Sequence, residues 1–190
     1  MQAYDPLDYE NLARSVVQAL LGGPEGPLPP SEAFEGAGVY AIYYRGDFAS
    51  YSRLGTAEPL LPIYVVKAVP IGARKGAGRS TGGRELYQRL KQHGSSIEQA
   101  ANLRLEHFRC RYLVVVPVWI TLAERFLVEQ YRPLWNIVID GFGNHDPGAG
   151  RLAMKRPRWD ILHPGRPWAA RLTAEETFDQ VLQRLRDFLE

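Results

Sequence analysis

With 190 residues, 45% of them hydrophobic and 23% charged, the chain has the size and balance of one globular domain with its own core. Its one cysteine, Cys110, excludes an internal disulfide and a cysteine-rich zinc site, and suits a reducing cytoplasm. A net charge of +2 does not announce nucleic acid, no apolar run is long enough to span a membrane, and the acidic opening "MQAYDPLDYE" lacks a signal-peptide pattern.

In chain order, Leu12, Val16, Val17, Leu20 and Leu21 recur at helical spacing and predict a helix over about 6–22, and "GGPEGPLPP" then reads as a linker, so that 1–30 is an N-terminal extension. "GAGVYAIYY" predicts a strand over about 38–45. "RGDFASYSRLGTAEPLLP" reads as turn and loop, and a second strand follows over about 63–68. "VPIGARKGAGRSTGG" is too rich in glycine to be regular and lacks the spacing of a phosphate-binding P-loop. A helix is expected over about 83–93, with Gly94 as its stop. "FRCRYLVVVPVW", about 108–119, reads as a central strand buried on both faces. "TLAERFLVEQYRPLWN" predicts a helix with Thr121 as N-cap, Glu124 three residues on, and Pro133 as terminator. "IDGFGNHDPGAGR" reads as loop. In the tail, about 174–188, Phe178, Val181, Leu182, Leu185 and Phe188 share one helical face. The order β-β-α-β-α with helices added at both ends is a small α+β domain built on an antiparallel sheet.

Both early strands carry a tyrosine, Tyr40 and Tyr64, inside an aliphatic run. Either the rings pack and their hydroxyls reach water, or the two hydroxyls converge on one site. Arg89 and His93 are four residues apart and share a helix face. Glu124 lies on the next helix, with Glu129 as a rival acid on a face that reads as exposed. Asn136 follows "RPLW".

Gly38-Val39-Tyr40, then Tyr64-Val65-Val66, Arg89, Glu124 and Asn136, in that order, resemble the GIY-YIG nuclease superfamily over about 36–136. "YVVKAVPIGAR", "LYQRLKQHGSSI" and "RPLWNIVIDGFGNHDPGAGR" extend the likeness to about Trp168. They resemble the Type II restriction endonucleases of that superfamily that cut a GC-only palindrome. The chain departs from the pattern at Val66, where the motif usually ends in glycine.

The resemblance implies a nuclease core over 36–136. It also implies a site in which Tyr40 is the general base, Tyr64 positions water or phosphate, and Arg89 braces the phosphate. A nearby metal, Arg89 or His93 is expected to help remove the Tyr40 proton, His93 by accepting it directly or through water, and Asn136 anchors the site by hydrogen bonds. Glu124 holds one Mg²⁺, with Mn²⁺ as a substitute. Lys67 is expected either to assist a tyrosine or touch phosphate, or to be a solvated strand-end lysine. His145 and Asp146 in "NHDPG" read first as a turn.

Basic residues cluster on either side of the core. Arg74, Lys75, Arg79, Arg84, Arg89 and Lys91 form one group; Arg151, Lys155, Arg156, Arg158 and Arg166 form another within 137–190, a region expected to contact DNA. Arginine suits the guanine edge, and the second cluster is expected to contribute to base reading. A palindrome implies a homodimer on double-stranded DNA. The expectation is a bacterial cytoplasmic restriction enzyme. The rivals are a repair or mobile-element nuclease and a DNA-binding module with an inactive core.

Overall fold

The computed structural model describes residues 5, 7–56, 61–70, 83–148 and 154–190. Four antiparallel strands form one sheet: β1 (Gly26–Pro27), β2 (Gly38–Tyr44), β3 (Tyr64–Ala68) and β4 (Phe108–Val114), in the spatial order β1-β4-β2-β3. β2 lies inside the sheet, and all seven of its residues are buried. Its glycine is a packing requirement, because a Cβ at Gly38 would stand 2.0 Å from the Leu113 carbonyl oxygen of β4. Tyr40 pairs with Val66, and Ile42 with Tyr64. Side chains directly opposite in an antiparallel pair share a face, so this register puts Tyr40 and Tyr64 on the same side. Val66 occupies a regular strand position opposite Tyr40.

Alternation splits the core in two. On one face Tyr40, Ile42, Tyr44, Tyr64 and Phe108 pack under α3 (Glu85–Glu98) and aromatic residues from further along the chain. On the other, Val39, Ala41, Tyr43 and Val65 pack under α1 (Tyr9–Gly22) and α4 (Ile120–Tyr131). The α+β class with a small antiparallel sheet between helices is as expected from the sequence.

Several boundaries differ from the sequence expectation, each for a local reason. The segment after β2 is partly helical: a 3₁₀ turn, Ala49–Tyr51, leads into α2 (Ser52–Thr56). The buried Tyr51 anchors it, its hydroxyl receiving the Trp135 indole N–H at 2.9 Å. α3 runs through Gly94 to Glu98; that glycine answers a close approach, since a Cβ there would lie 2.9 Å from Pro29 Cδ. β4 stops at Val114 rather than continuing to 119. Pro117 has no N–H to offer a ladder and opens a 3₁₀ turn instead, which leaves Val116, Val118 and Trp119 exposed. α4 starts at Ile120 without a side-chain cap, so Thr121 is inside the helix and Glu124 is free of the capping role. Two short helices, α6 (Arg158–Leu162) and α7 (Pro167–Ala170), replace the expected irregular stretch after a one-turn α5 (Leu134–Ile137). α8 (Phe178–Leu189) starts at a Thr177–Gln180 capping box; Val181 and Leu185 are buried, while Phe178 is exposed and leaves the expected apolar face.

His163 ties these elements together under the sheet. Its Nδ1 meets the Asn102 Oδ1 at 2.9 Å and its Nε2 meets the Tyr51 hydroxyl at 2.5 Å, an arrangement that suits a neutral ring. Burial pushes its pKa from 6.5 down to about 3. As pH falls, the unfolded chain therefore takes up this proton first. Stability from this group is full above pH 6.5 and is lost below it, at a slope of about 1.4 kcal/mol per pH unit. Melting temperatures are expected to fall between pH 6.5 and pH 5, and a His163→Gln variant should show a flatter pH dependence over that interval.

Candidate active site

Strand register and two helices bring the predicted polar residues to one end of the sheet. β3 is an edge strand, and a cleft of about 390 Å³ opens along it. Val66 and Lys67 line the cleft from the strand, Glu85, Arg89 and Gln92 from α3, and Glu124 from α4. Arg89 and Glu124 thus reach one space from helices on opposite faces of the sheet.

Glu124 receives the Lys67 backbone N–H at 3.1 Å through Oε1, and pairs with Lys67 Nζ at 2.6 Å through Oε2. Lys67 is thereby placed on the acid. Among the described residues no group of three or more His, Cys, Asp or Glu side chains could cage a metal. A lone carboxylate facing a cleft nevertheless fits a hard divalent cation that takes its remaining oxygens from water and phosphate. Glu129 is directed elsewhere, bonded to the Tyr9 hydroxyl and to Arg125 at the surface.

The tyrosines and His93 are packed behind the cleft. Tyr40 is fully buried, with the Arg89 guanidinium beside its hydroxyl. Burial raises its pKa well above 10, the neighbouring Tyr64 and Glu124 raise it further, and Arg89 draws it back down. Tyr64, 7% exposed, is pushed up to about 12, mainly by burial. The His93 ring lies 5.7 Å from Tyr40 and 5.3 Å from Tyr64, centroid to centroid. It is buried, its Nε2 has no partner among the described residues, and burial with the Arg89 charge lowers its pKa well below 6.5. Burial and the Arg89 charge thus hold His93 as a neutral imidazole.

Asn136 reaches β3 through its side-chain amide. Its Oδ1 accepts from the Val65 N–H at 2.9 Å and its Nδ2 donates to the Val65 carbonyl at 2.7 Å. The amide is spent on the edge of β3, next to Tyr64, and so anchors the strand that carries that tyrosine. Asn136→Ala would leave that backbone pair to water or unpaired, at a cost of about 1–3 kcal/mol.

Of the residues expected to contact DNA, Arg74, Lys75, Arg79 and Arg151 lie outside the described residues. Lys155 pairs with Glu175 at 3.4 Å at the surface. Arg156 donates to the carbonyls of Ala169 and Ala170 at 3.0 and 2.8 Å, and Arg158 pairs with Glu176 at 2.5 Å, so both brace the C-terminal elements. Arg166, grouped with them by sequence, is buried at 2% exposure on Asp160. Sequence reasoning also underrated the "GFGNHDPG" loop. Phe142 stacks on His93 with ring centroids 4.5 Å apart and 24° between planes, and His145 Nε2 meets Arg89 Nη1 at 2.5 Å. A Cβ at Gly143 would stand 2.5 Å from the Tyr64 hydroxyl, so that glycine lets the loop close over the site.

No helix among the described residues is long and apolar enough to cross a membrane. Compared with known protein families, residues 32–189 match the model of the Eco29kI GIY-YIG domain. No curated protein matches the chain.

Proposed function

The chain belongs to the Eco29kI GIY-YIG family of restriction endonucleases, and from that premise we propose that it hydrolyses both strands of double-stranded DNA at a GC-only palindrome, with Mg²⁺ and as a homodimer in the bacterial cytoplasm. The observation that carries the mechanism is the meeting of Arg89 and Glu124 at one cleft, with Tyr40, Tyr64 and His93 packed behind it.

In this reading the Arg89 guanidinium braces the scissile phosphate. Tyr40 takes a proton from the attacking water. Its raised pKa means that it starts as a neutral phenol, so it acts as a relay: as it receives the proton from water it gives up its own, which His93 takes directly or through a water. The water oxygen forms the new bond to phosphorus while the bond to the leaving sugar oxygen breaks. Tyr64 holds the water or a phosphate oxygen. Glu124 would hold the Mg²⁺, which would supply charge neutralisation at the phosphate. Lys67, on the same cleft, contacts a phosphate oxygen. A two-fold dimer presents one such site to each strand.

Digestion of a large unmethylated DNA, followed by sequencing of the ends, tests this. Discrete fragments sharing a GC-only palindrome are expected with Mg²⁺, none with EDTA, and restored cutting when Mn²⁺ is added. Random or nicked products would point to a repair or mobile-element enzyme. DNA that is bound but never cut would point to an inactive core. Only Val66 favours that last reading, and β3 accommodates Val66 in regular pairing.

A further inference from the structure

A buried arginine shapes the loop that covers the site. Arg166 has five N–H donors and all five are used. Nε and Nη2 donate to the two carboxylate oxygens of Asp160 at 2.7 and 2.6 Å. The remaining three N–H groups donate to main-chain carbonyls: Nη1 to Phe142 and Asn144 at 3.0 Å each, and Nη2 to Gly141 at 2.9 Å. The guanidinium also lies 4.5 and 4.7 Å from the ring centroids of Trp159 and Trp168. A saturated planar fork permits one arrangement of those carbonyls, and that arrangement delivers His145 to Arg89.

We propose that His145 is a positioning residue of the nuclease site: its imidazole Nε2 takes one donor of Arg89 and aims the rest of the guanidinium at the scissile phosphate. The inference rests on the nuclease reading of the site. Two observations separate it from a merely structural role. His145 is exposed, and the turn it sits in is held by others: Asp146 accepts from the Gly148 N–H at 2.9 Å and pairs with Arg171 at 2.7 Å. The contact also suits a neutral ring, and partial loss of solvent on the side facing the site, with the Arg89 and Arg166 charges, keeps the His145 pKa below the ordinary imidazole value.

The test compares wild type, His145→Ala and His145→Gln on one cleavable duplex, measuring single-turnover cleavage with Mg²⁺, duplex binding in EDTA, and melting temperature. His145→Ala is expected to slow cleavage about tenfold to a hundredfold, with DNA affinity within about threefold and melting unchanged. His145→Gln, which restores an acceptor for Arg89, should recover most of the rate. An alanine variant that cuts at the wild-type rate overturns the proposal. So does a slow one whose loss tracks a lower melting temperature or is not recovered by glutamine. A wild type that binds the duplex without cutting it defeats the nuclease reading itself, and this proposal with it.

Discussion

Glu124→Gln is expected to lower cleavage by about a thousandfold or more, while binding of the same duplex in EDTA persists. The substitution keeps the shape and removes the charge that would hold the cation. The protein should stay folded. Glu124 and Lys67 are partly exposed, so losing their ion pair costs about 1 kcal/mol or less. Glu129→Gln is the matched control: it lies on the same helix but faces Tyr9 and Arg125 at the surface, and its cleavage rate should equal that of wild type. A Glu124→Gln enzyme that cut normally would remove this acid from the proposed metal site. If Glu129→Gln were the inactive variant instead, the rival acid would take its place.

The parts of this arrangement that could be read from sequence are those written in local periodicity. Alternation placed β2 and β3, and register then placed Tyr40 and Tyr64 on one face. Helical spacing put Arg89 and His93 on one side of α3. Contacts across the chain were the parts that could not be read. Gly94 looks like a helix stop until Pro29 is found packed against it. "VVVPVW" looks like buried strand because apolar content does not say where a ladder ends; the missing N–H of Pro117 does. Arg166 looks like one more solvent-facing arginine among five basic residues. Only the fold reveals that Asp160, two tryptophans and three carbonyls make its burial tolerable, since a buried charge needs every donor met. His145 lies 56 residues from Arg89, so nothing in its own neighbourhood points to that contact.

Tyr40→Phe tests the remaining assignment and carries a signature that a packing tyrosine would not give. If the hydroxyl relays the proton of the attacking water, its removal should slow single-turnover cleavage by about a hundredfold to ten-thousandfold. The fold should not suffer. The hydroxyl is fully buried and phenylalanine keeps the ring's packing, so the melting temperature should stay close to that of wild type. Tyr43 is the internal control. Its hydroxyl is buried and bonded to no described residue, but the ring lies on the opposite face of the sheet, under α1 and α4. Tyr43→Phe should therefore stabilise the protein and leave cleavage unchanged. Activity lost at Tyr40 alone, with both variants folded, would mean that the first hydroxyl is kept for chemistry. Wild-type cutting by Tyr40→Phe would return that tyrosine to the core and require another group to take the proton.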